Sequence, residues 1–304
     1  MNTPHDDPRR PRVAVIGTGT MGSAIASRLL HMGFEVSVWS RNPVSTHASI
    51  ERGATAYADA TEAVAEADVV ITMLPTQSAI RAVMFDAKTL DAMEPNATWV
   101  QMATIGVRAT GELASDTELR RPDVVFVDAP ISGSKEPAES GQLLILASGP
   151  DEAGRLLDPV FDIIGKRTMW LGSTGAGSAM KLVLNTWLAF QTEGAAESAA
   201  LAESLGVAPA LLLKALTDSP LASSYALAKL NRMIDQDFHS DFALDWALKD
   251  LDLVASDDGD DAAPVAGAIA ERWRGLVSNG SSGLDVSAAR RGLGRSELRV
   301  PVTA

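Results

Sequence analysis

The sequence predicts an α/β domain with a doubly wound parallel sheet, followed by an all-α C-terminal domain, the two joined by a long helix. Three observations carry this prediction. Short β-branched runs alternate with helical patterns through the first half. Those runs are continuously apolar, as strands covered on both faces must be. From about residue 173 the strand pattern stops and only helical periodicity remains.

The elements follow in order. VAVIG (13–17) is a first strand, and an Ala/Leu-rich helix follows near 21–32. EVSVWS (35–40) and DVVITML (68–74) each precede a helical stretch. ATWVQMA (97–103), VVFVDAP (124–130) and LLILASG (143–149) complete the set. Strands alternating with helices imply right-handed crossovers. Ser173 or Thr174 can cap a helix running to about Ser204 and ending at Gly206, which is roughly 45 Å of helix. Shorter helices follow, broken at Pro209, Pro220, Asp257–Gly259 and Gly280–Gly283. The expected boundaries are a disordered tail at 1–11, a nucleotide domain at 12–173, an all-α domain at 174–293 and a flexible tail at 294–304.

Composition narrows the function. The 304 residues suffice for two domains, and 46% are hydrophobic, which argues against disorder. A net charge of −13 without a dense basic patch excludes a sequence-independent hold on nucleic acid. With no cysteine, disulfides and thiolate chemistry are excluded. His5, His31, His47 and His239 lack ligand spacing, so no metal site is predicted. No apolar run nears the ~20 residues of a membrane span, and a soluble cytoplasmic protein is expected.

Gly17-Thr18-Gly19-Thr20-Met21-Gly22 lies between the first strand and its helix. The first glycine allows the turn, the second admits a pyrophosphate to the backbone, and the third lets helix pack on strand. Free N–H groups and the helix dipole favour the anion. In this context the motif predicts a dinucleotide and makes the fold Rossmann-type. An acid at the end of the second strand would bond a ribose 2′-hydroxyl; Ser40-Arg41 stands there instead, and a guanidinium fork suits a 2′-phosphate, predicting NADP(H). The alternative is that Arg41 begins a solvated helix. Leu74-Pro75 and Thr104, at carboxyl ends of candidate strands, are placed on the nicotinamide side of the crevice, although Pro75 can equally start a loop and Thr104 cap a helix.

Lys181 and Asn185 interrupt the apolar stretch TGAGSAMKLVLNTWLAF at i and i+4, on one helix face. A lysine buried alone is costly unless it loses its proton or finds a partner. One reading has Lys181 extend to the rim or meet a carboxylate. The other has it face the nicotinamide as proton donor, with Asn185 orienting the ammonium or the reacting oxygen.

At these residues the chain resembles the β-hydroxyacid dehydrogenase family, the relatives of 3-hydroxyisobutyrate dehydrogenase, and is especially similar to the glyoxylate and succinic semialdehyde reductase branch. The resemblance runs from about Val13 to Gly292. It rests on VIGTGTMG (15–22), DAPISGSKEPAESGQLLILASG (128–149), GAGSAMKLVLN (175–185) and FALDWALKDLDLVA (242–255), with DVSAARRGL (285–293) as a weaker fifth block. It implies that Lys181 is the catalytic lysine, supported by Asn185. Ser132 and Gly133 then hold the substrate carboxylate. Thr104 touches substrate and cofactor, Phe242 and Asp250 approach the substrate, and Lys249 reaches the cofactor. Each has a plainer reading: a turn at 132–133, core for Phe242, a surface pair for Lys249 and Asp250. Lys135 is expected to be solvated.

The chain departs from the family at Gln101-Met102-Ala103-Thr104, where Asp-x-Ser-Thr is usual. With Trp187 and Trp246 adding apolar surface, this favours a bulkier or less polar substrate. The resemblance implies NADP(H)-dependent hydride transfer between nicotinamide and a small carbonyl acid or β-hydroxy acid, in a homodimer sharing its α domains. Two rivals are an imine reductase, or a reductase accepting both carbonyls and imines, and a catalytically silent cofactor-binding module. Lys181 and Ser132 argue against the first, and Lys181 with Asn185 against the second.

Overall fold

The computed structural model describes residues 10–257 and 262–293. Residues 1–9 of the expected tail at 1–11, the expected tail at 294–304, and positions 258–259 of the expected break lie outside them. The chain divides into two compact units between Lys181 and Leu182, within one helix.

The first unit is built on a six-stranded parallel sheet. In chain order its strands are β1 (Val13–Ile16), β2 (Val36–Trp39), β3 (Thr55–Ala56), β4 (Val69–Thr72), β5 (Thr98–Gln101) and β6 (Val125–Asp128). Their spatial order is β3-β2-β1-β4-β5-β6, all parallel. The order reverses between β1 and β4, so the crevice that binds ligands in doubly wound sheets opens at the carboxyl ends of these two strands.

Continuous apolar runs follow from this two-sided burial. Val13, Val15, Val69, Ile71, Val100 and Val127 enter the core on one face with α1 (Thr20–His31). The helices that follow in this unit are α2 (His47–Ile50), α3 (Ala60–Val64), α4 (Gln77–Arg81), α5 (Val107–Arg120), α6 (Lys135–Ser140) and α7 (Gly154–Ile164). Ala14, Ile16, Val70, Trp99 and Phe126 enter the core on the other. Trp99 is fully buried between Phe85 and Phe126, at 5.8 Å and 5.0 Å between ring centroids, and its indole N–H donates to Thr72 Oγ1 at 3.0 Å.

LLILASG differs from expectation. It forms β8 (Leu143–Ala147) in a second sheet, antiparallel to β7 (Ile131–Ser132) and parallel to β9 (Gly165–Trp170). The link after β6 turns back at Gly133 (φ +138°) through a helix of six residues, too short to carry a crossover onto the main sheet. β3, β7 and β9 carry no strong strand signal: two are two-residue strands, and β9 is polar over Lys166–Thr168.

The long helix α8 spans Ala176–Ser204, starting one residue later than a local cap at Thr174 would give. The second unit continues with α9 (Pro209–Leu216), α10 (Ser224–Asp235), α11 (Leu244–Ser256) and α12 (Pro264–Leu276). Pro209 therefore opens a helix at its first turn, where the missing N–H costs nothing. Leu244, Met233, Trp273 and Val286 form this unit's core with Ala189 and Ala196. Two buried polar clusters pin it. Lys229 donates to both oxygens of fully buried Asp285 at 2.8 Å and 3.0 Å. Glu193 accepts from the Arg272 guanidinium and from Trp273 Nε1.

Candidate active site

Each glycine of the loop after β1 has its own constraint. Gly17 has φ +104°, and a Cβ there would lie 2.7 Å from the Met73 carbonyl and 3.0 Å from Leu74 Cδ2. This contact also joins the ends of β1 and β4 at the point where strand order reverses. A Cβ on Gly22 would lie 1.9 Å from the Gly17 carbonyl. Gly19, the N-cap of α1, faces open space: a Cβ there meets nothing within 4 Å. The loop is thus closed against the protein at its first and third glycines and open at its second, which fits a pyrophosphate over the helix N-terminus. Thr18 is buried, and its hydroxyl lies 2.9 Å from Ser45 Oγ. Thr20 and Met21 occupy the first turn of α1, where no acidic side chain competes with an anion.

After β2 the chain runs Ser40-Arg41-Asn42 with no carboxylate. Ser40 is half-buried, and Arg41 is exposed with no bond to another described residue. Asn42 turns inward to cap the next turn by accepting from Val44 N–H. The guanidinium therefore remains available to an added anion. After β4, Leu74 is buried and Pro75 exposed.

Gln101 is fully buried and folds the loop after β5 onto itself. Its Oε1 accepts from Ala103 N–H and from Thr72 Oγ1–H, both at 3.1 Å, and its Nε2 donates to the Ala103 carbonyl at 2.6 Å. The amide is consumed within the loop, so it shapes the approach to half-buried Thr104 and offers nothing to a ligand. Sequence reasoning placed Gln101 only as a departure; its bonding needs the β4–β5 pairing to be seen.

Ser132 closes β7 with its hydroxyl unbonded among the described residues. Gly133 is exposed, and a Cβ there would come 2.8 Å from Leu143 Cδ2. Lys135 is exposed and pairs weakly with Glu139 at 3.7 Å, as expected of a solvated residue.

Lys181 is half-buried, in the second turn of α8. The start of that helix is held from outside. Asp128, the last residue of β6, is fully buried and accepts from Ser178 N–H at 2.8 Å and from the Ser178 hydroxyl at 2.7 Å. Ser148 Oγ donates to Asp128 at 3.0 Å and accepts from Gly177 N–H at 2.9 Å. Burial pushes the Asp128 carboxyl up, and bonds from Ser178, Ser148 and the Gly175 N–H offset part of that rise. Sequence reasoning missed Asp128 as a functional candidate, although it heads the 128–149 block.

In the second unit, Asn185 is buried and its Nδ2 donates to Asp250 Oδ2 at 2.5 Å. Lys249 Nζ stands 2.9 Å from the other Asp250 oxygen and 5.9 Å from the Trp246 ring. Asn185, Lys249 and Asp250 are therefore brought together. Asn185 engages a carboxylate here, which was not among the partners expected for it. Phe242 packs partly buried against this unit's core, and its N–H donates to Asp285 at 3.3 Å. Trp187 and Trp246 expose 60% and 46% of their surface, so neither is core. Among the described residues no cluster of His, Asp and Glu could hold a metal ion, and no helix is long and apolar enough to cross a membrane.

A doubly wound sheet with an open glycine at its switch point defines a dinucleotide-binding protein. Comparison with known proteins narrows this. Residues 12–172 match the NAD-binding domain of 6-phosphogluconate dehydrogenase, and residues 175–293 match the NAD-binding domain of NADP-dependent 3-hydroxyisobutyrate dehydrogenase. Glyoxylate/succinic semialdehyde reductase 1 of Arabidopsis thaliana is 31% identical over 91% of this chain and 96% of its own. A 3-hydroxyisobutyrate dehydrogenase of Mycobacterium tuberculosis, solved with L-serine, superposes with a TM-score of 0.84 at 28% identity, covering 93% of this chain and 98% of that one. An imine reductase of Myxococcus stipitatus shares the fold alone, with a TM-score of 0.64 at 18% identity over 93% and 99% of the two chains. The chain belongs to the β-hydroxyacid dehydrogenase family.

Proposed function

We propose that this protein is an NADP(H)-dependent reductase of a small carbonyl acid, or oxidises the corresponding β-hydroxy acid, with Lys181 as the proton donor and acceptor. One observation carries the reading: the helix bearing Lys181 starts from bonds to the end of β6, from which the Ser132–Gly133 loop departs. Gly17, Gly19 and Gly22 would hold the pyrophosphate, helped by N–H groups of Thr20 and Met21. Ser40 and Arg41 would hold a 2′-phosphate, and Leu74, Pro75, Thr104 and Lys249 would line the nicotinamide. When bound, the dinucleotide supplies the hydride that reduces the carbonyl carbon. Lys181 stabilises the charge developing on the carbonyl oxygen and gives it a proton, which is regained from water. The Ser132 hydroxyl and the backbone N–H of Gly133 hold the substrate carboxylate, while Phe242 and Asp250 complete the substrate's surroundings. Asn185, fixed by Asp250, lies one turn beyond Lys181.

A second reading is a reductase that also accepts imines. The neutral, internally bonded Gln101 and the methyl of Ala103 favour it, since they leave Thr104 as the loop's one hydroxyl and no acid for a small polar substrate. The active form is proposed to be a homodimer, because α9 has no buried residue and Leu201, Leu205, Leu211 and Leu221 are exposed.

The test is NADPH oxidation with glyoxylate, succinic semialdehyde, a bulkier ketone and a cyclic imine side by side. The Lys181→Ala variant should bind NADPH within about twofold of wild type and lose ~10²–10⁴ in turnover of its best aldehyde. Carbonyl reduction near the wild-type rate in that variant removes Lys181 from the chemistry.

A further inference from the structure

Asp128 carries no role in the chemistry above, yet it is a fully buried carboxylate with no cation bonded to it among the described residues. Such a group is costly to keep, so its use matters. Both oxygens serve one purpose. The first N–H groups of a helix have no partner within it. In α8 they are met by Asp128 and Ser148, from the ends of β6 and β8, with an anion at the positive end of the helix dipole. Gly177 lets the strand approach, since a Cβ there would lie 2.2 Å from the Leu146 carbonyl. Asp128 and Ser148 are themselves locked by two backbone bonds, at 3.0 Å and 2.7 Å. Lys181 follows Ser178 by three residues and so lies on the same side of the helix, one turn on. The loop leaving Asp128 carries Ser132 and Gly133.

We propose that Asp128 is a positioning residue. It fixes the height and rotation of the first turn of α8, and with them the place of the Lys181 ammonium relative to the Ser132–Gly133 loop. A carboxylate accepts at both oxygens as the site stands; an amide in its place puts N–H against the Ser178 hydroxyl, which must then turn its hydrogen to Thr110 Oγ1, 3.0 Å away, or against the Ser178 N–H and the Ser148 hydroxyl. The inference rests on Lys181 being the proton donor.

Asp128→Asn, Lys181→Ala and the double variant test it, using the aldehyde the wild type reduces fastest. In the protein without nucleotide, amide exchange over residues 176–181 should quicken at least ~tenfold in Asp128→Asn, with the glycine loop unchanged. Affinity for NADPH should stay within about twofold, while kcat falls ~10- to 100-fold and KM changes less, the scale of a small misplacement. In the Lys181→Ala background the same change should lower kcat less than about twofold, since the group it places is gone. The inference is overturned if Asp128→Asn keeps its kcat per folded molecule, or if its effect is undiminished without Lys181. Should Asp128→Asn not fold, Ser178→Ala removes one of the three bonds and is read by the same criteria. If Lys181→Ala alone keeps turnover, the functional reading fails and this inference with it; if only Lys181→Ala is impaired, the positioning role alone fails.

Discussion

Three glycines in one loop are held by three different constraints, and only one of them concerns a ligand. Gly17 is fixed by its positive φ and by the Met73 carbonyl, Gly22 by the Gly17 carbonyl, and Gly19 by nothing among the described residues. That asymmetry turns a weak motif into a physical argument for a dinucleotide. Arg41 is proposed to hold a 2′-phosphate because of what it lacks: it is exposed, with no bond to a described residue and no acid at the strand end. Arg41→Asp should shift the ratio of kcat/KM for NADPH over NADH by ~tenfold or more toward NADH, because a carboxylate repels a 2′-phosphate and accepts from a 2′-hydroxyl. An unchanged ratio in steady-state kinetics with both cofactors would remove the phosphate role from Arg41. The glycine loop was legible in the sequence because it is set by local context, and the roles proposed for Arg41 and Lys181 rest on the same local reading. The bonding of Gln101 was not, because its partner Thr72 lies on the neighbouring strand.

At the scale of elements, helix α8 is the instructive case. Its periodicity and its end at Ser204 were readable, but a local cap at Ser173 or Thr174 was expected, and the first turn instead bonds to residues far back in the chain. The weak block at 285–293 has a similar explanation. Asp285 joins α10 to the segment before α11 by accepting from Lys229 and from the N–H groups of Asp241, Phe242 and Ser287. Burial alone pushes the Asp285 carboxyl up, but Lys229 and the Ser287 N–H outweigh it and hold the group below its ordinary range. A carboxyl lowered on folding adds stability above its unfolded pKa, and that stability is lost as pH falls through the folded one. Lys229→Ala takes away the closer of the two cations on buried Asp285 and leaves only Arg232, at 3.4 Å, which should cost ~1–3 kcal/mol at neutral pH, less than the ~3–5 kcal/mol of a fully unpaired buried charge. The cost should shrink near pH ~4, where the carboxyl that has lost Lys229 can take up a proton. Denaturant unfolding at both pH values checks this; a pH-independent cost would show that the pair's charge is not what matters.

For the whole molecule, the second unit leaves large apolar side chains in water. Leu205 and Leu221 expose 72% and 87% of their surface, and α9, though rich in leucine, buries none of its residues. Exposed apolar surface of this kind is what the proposed homodimer would cover. Light scattering at micromolar concentration should give a dimer, and Leu205→Asp with Leu211→Asp should give a folded monomer. A wild-type monomer would leave these residues to another purpose.

What the sequence determined by itself was the periodic and the local. Strand and helix alternation, the strand–glycine–helix unit and the one-turn spacing of Lys181 and Asn185 all depend on residues a few positions apart. Only the tertiary structure decided that LLILASG joins a second sheet, that Gln101 is consumed by its own loop, that Asn185 engages Asp250, and that Asp128 caps the helix of the lysine. Each of these is a bond or a strand pairing whose choice of partner is made by packing, and burial makes that choice binding, because a polar group removed from water must be met by whatever the fold brings beside it.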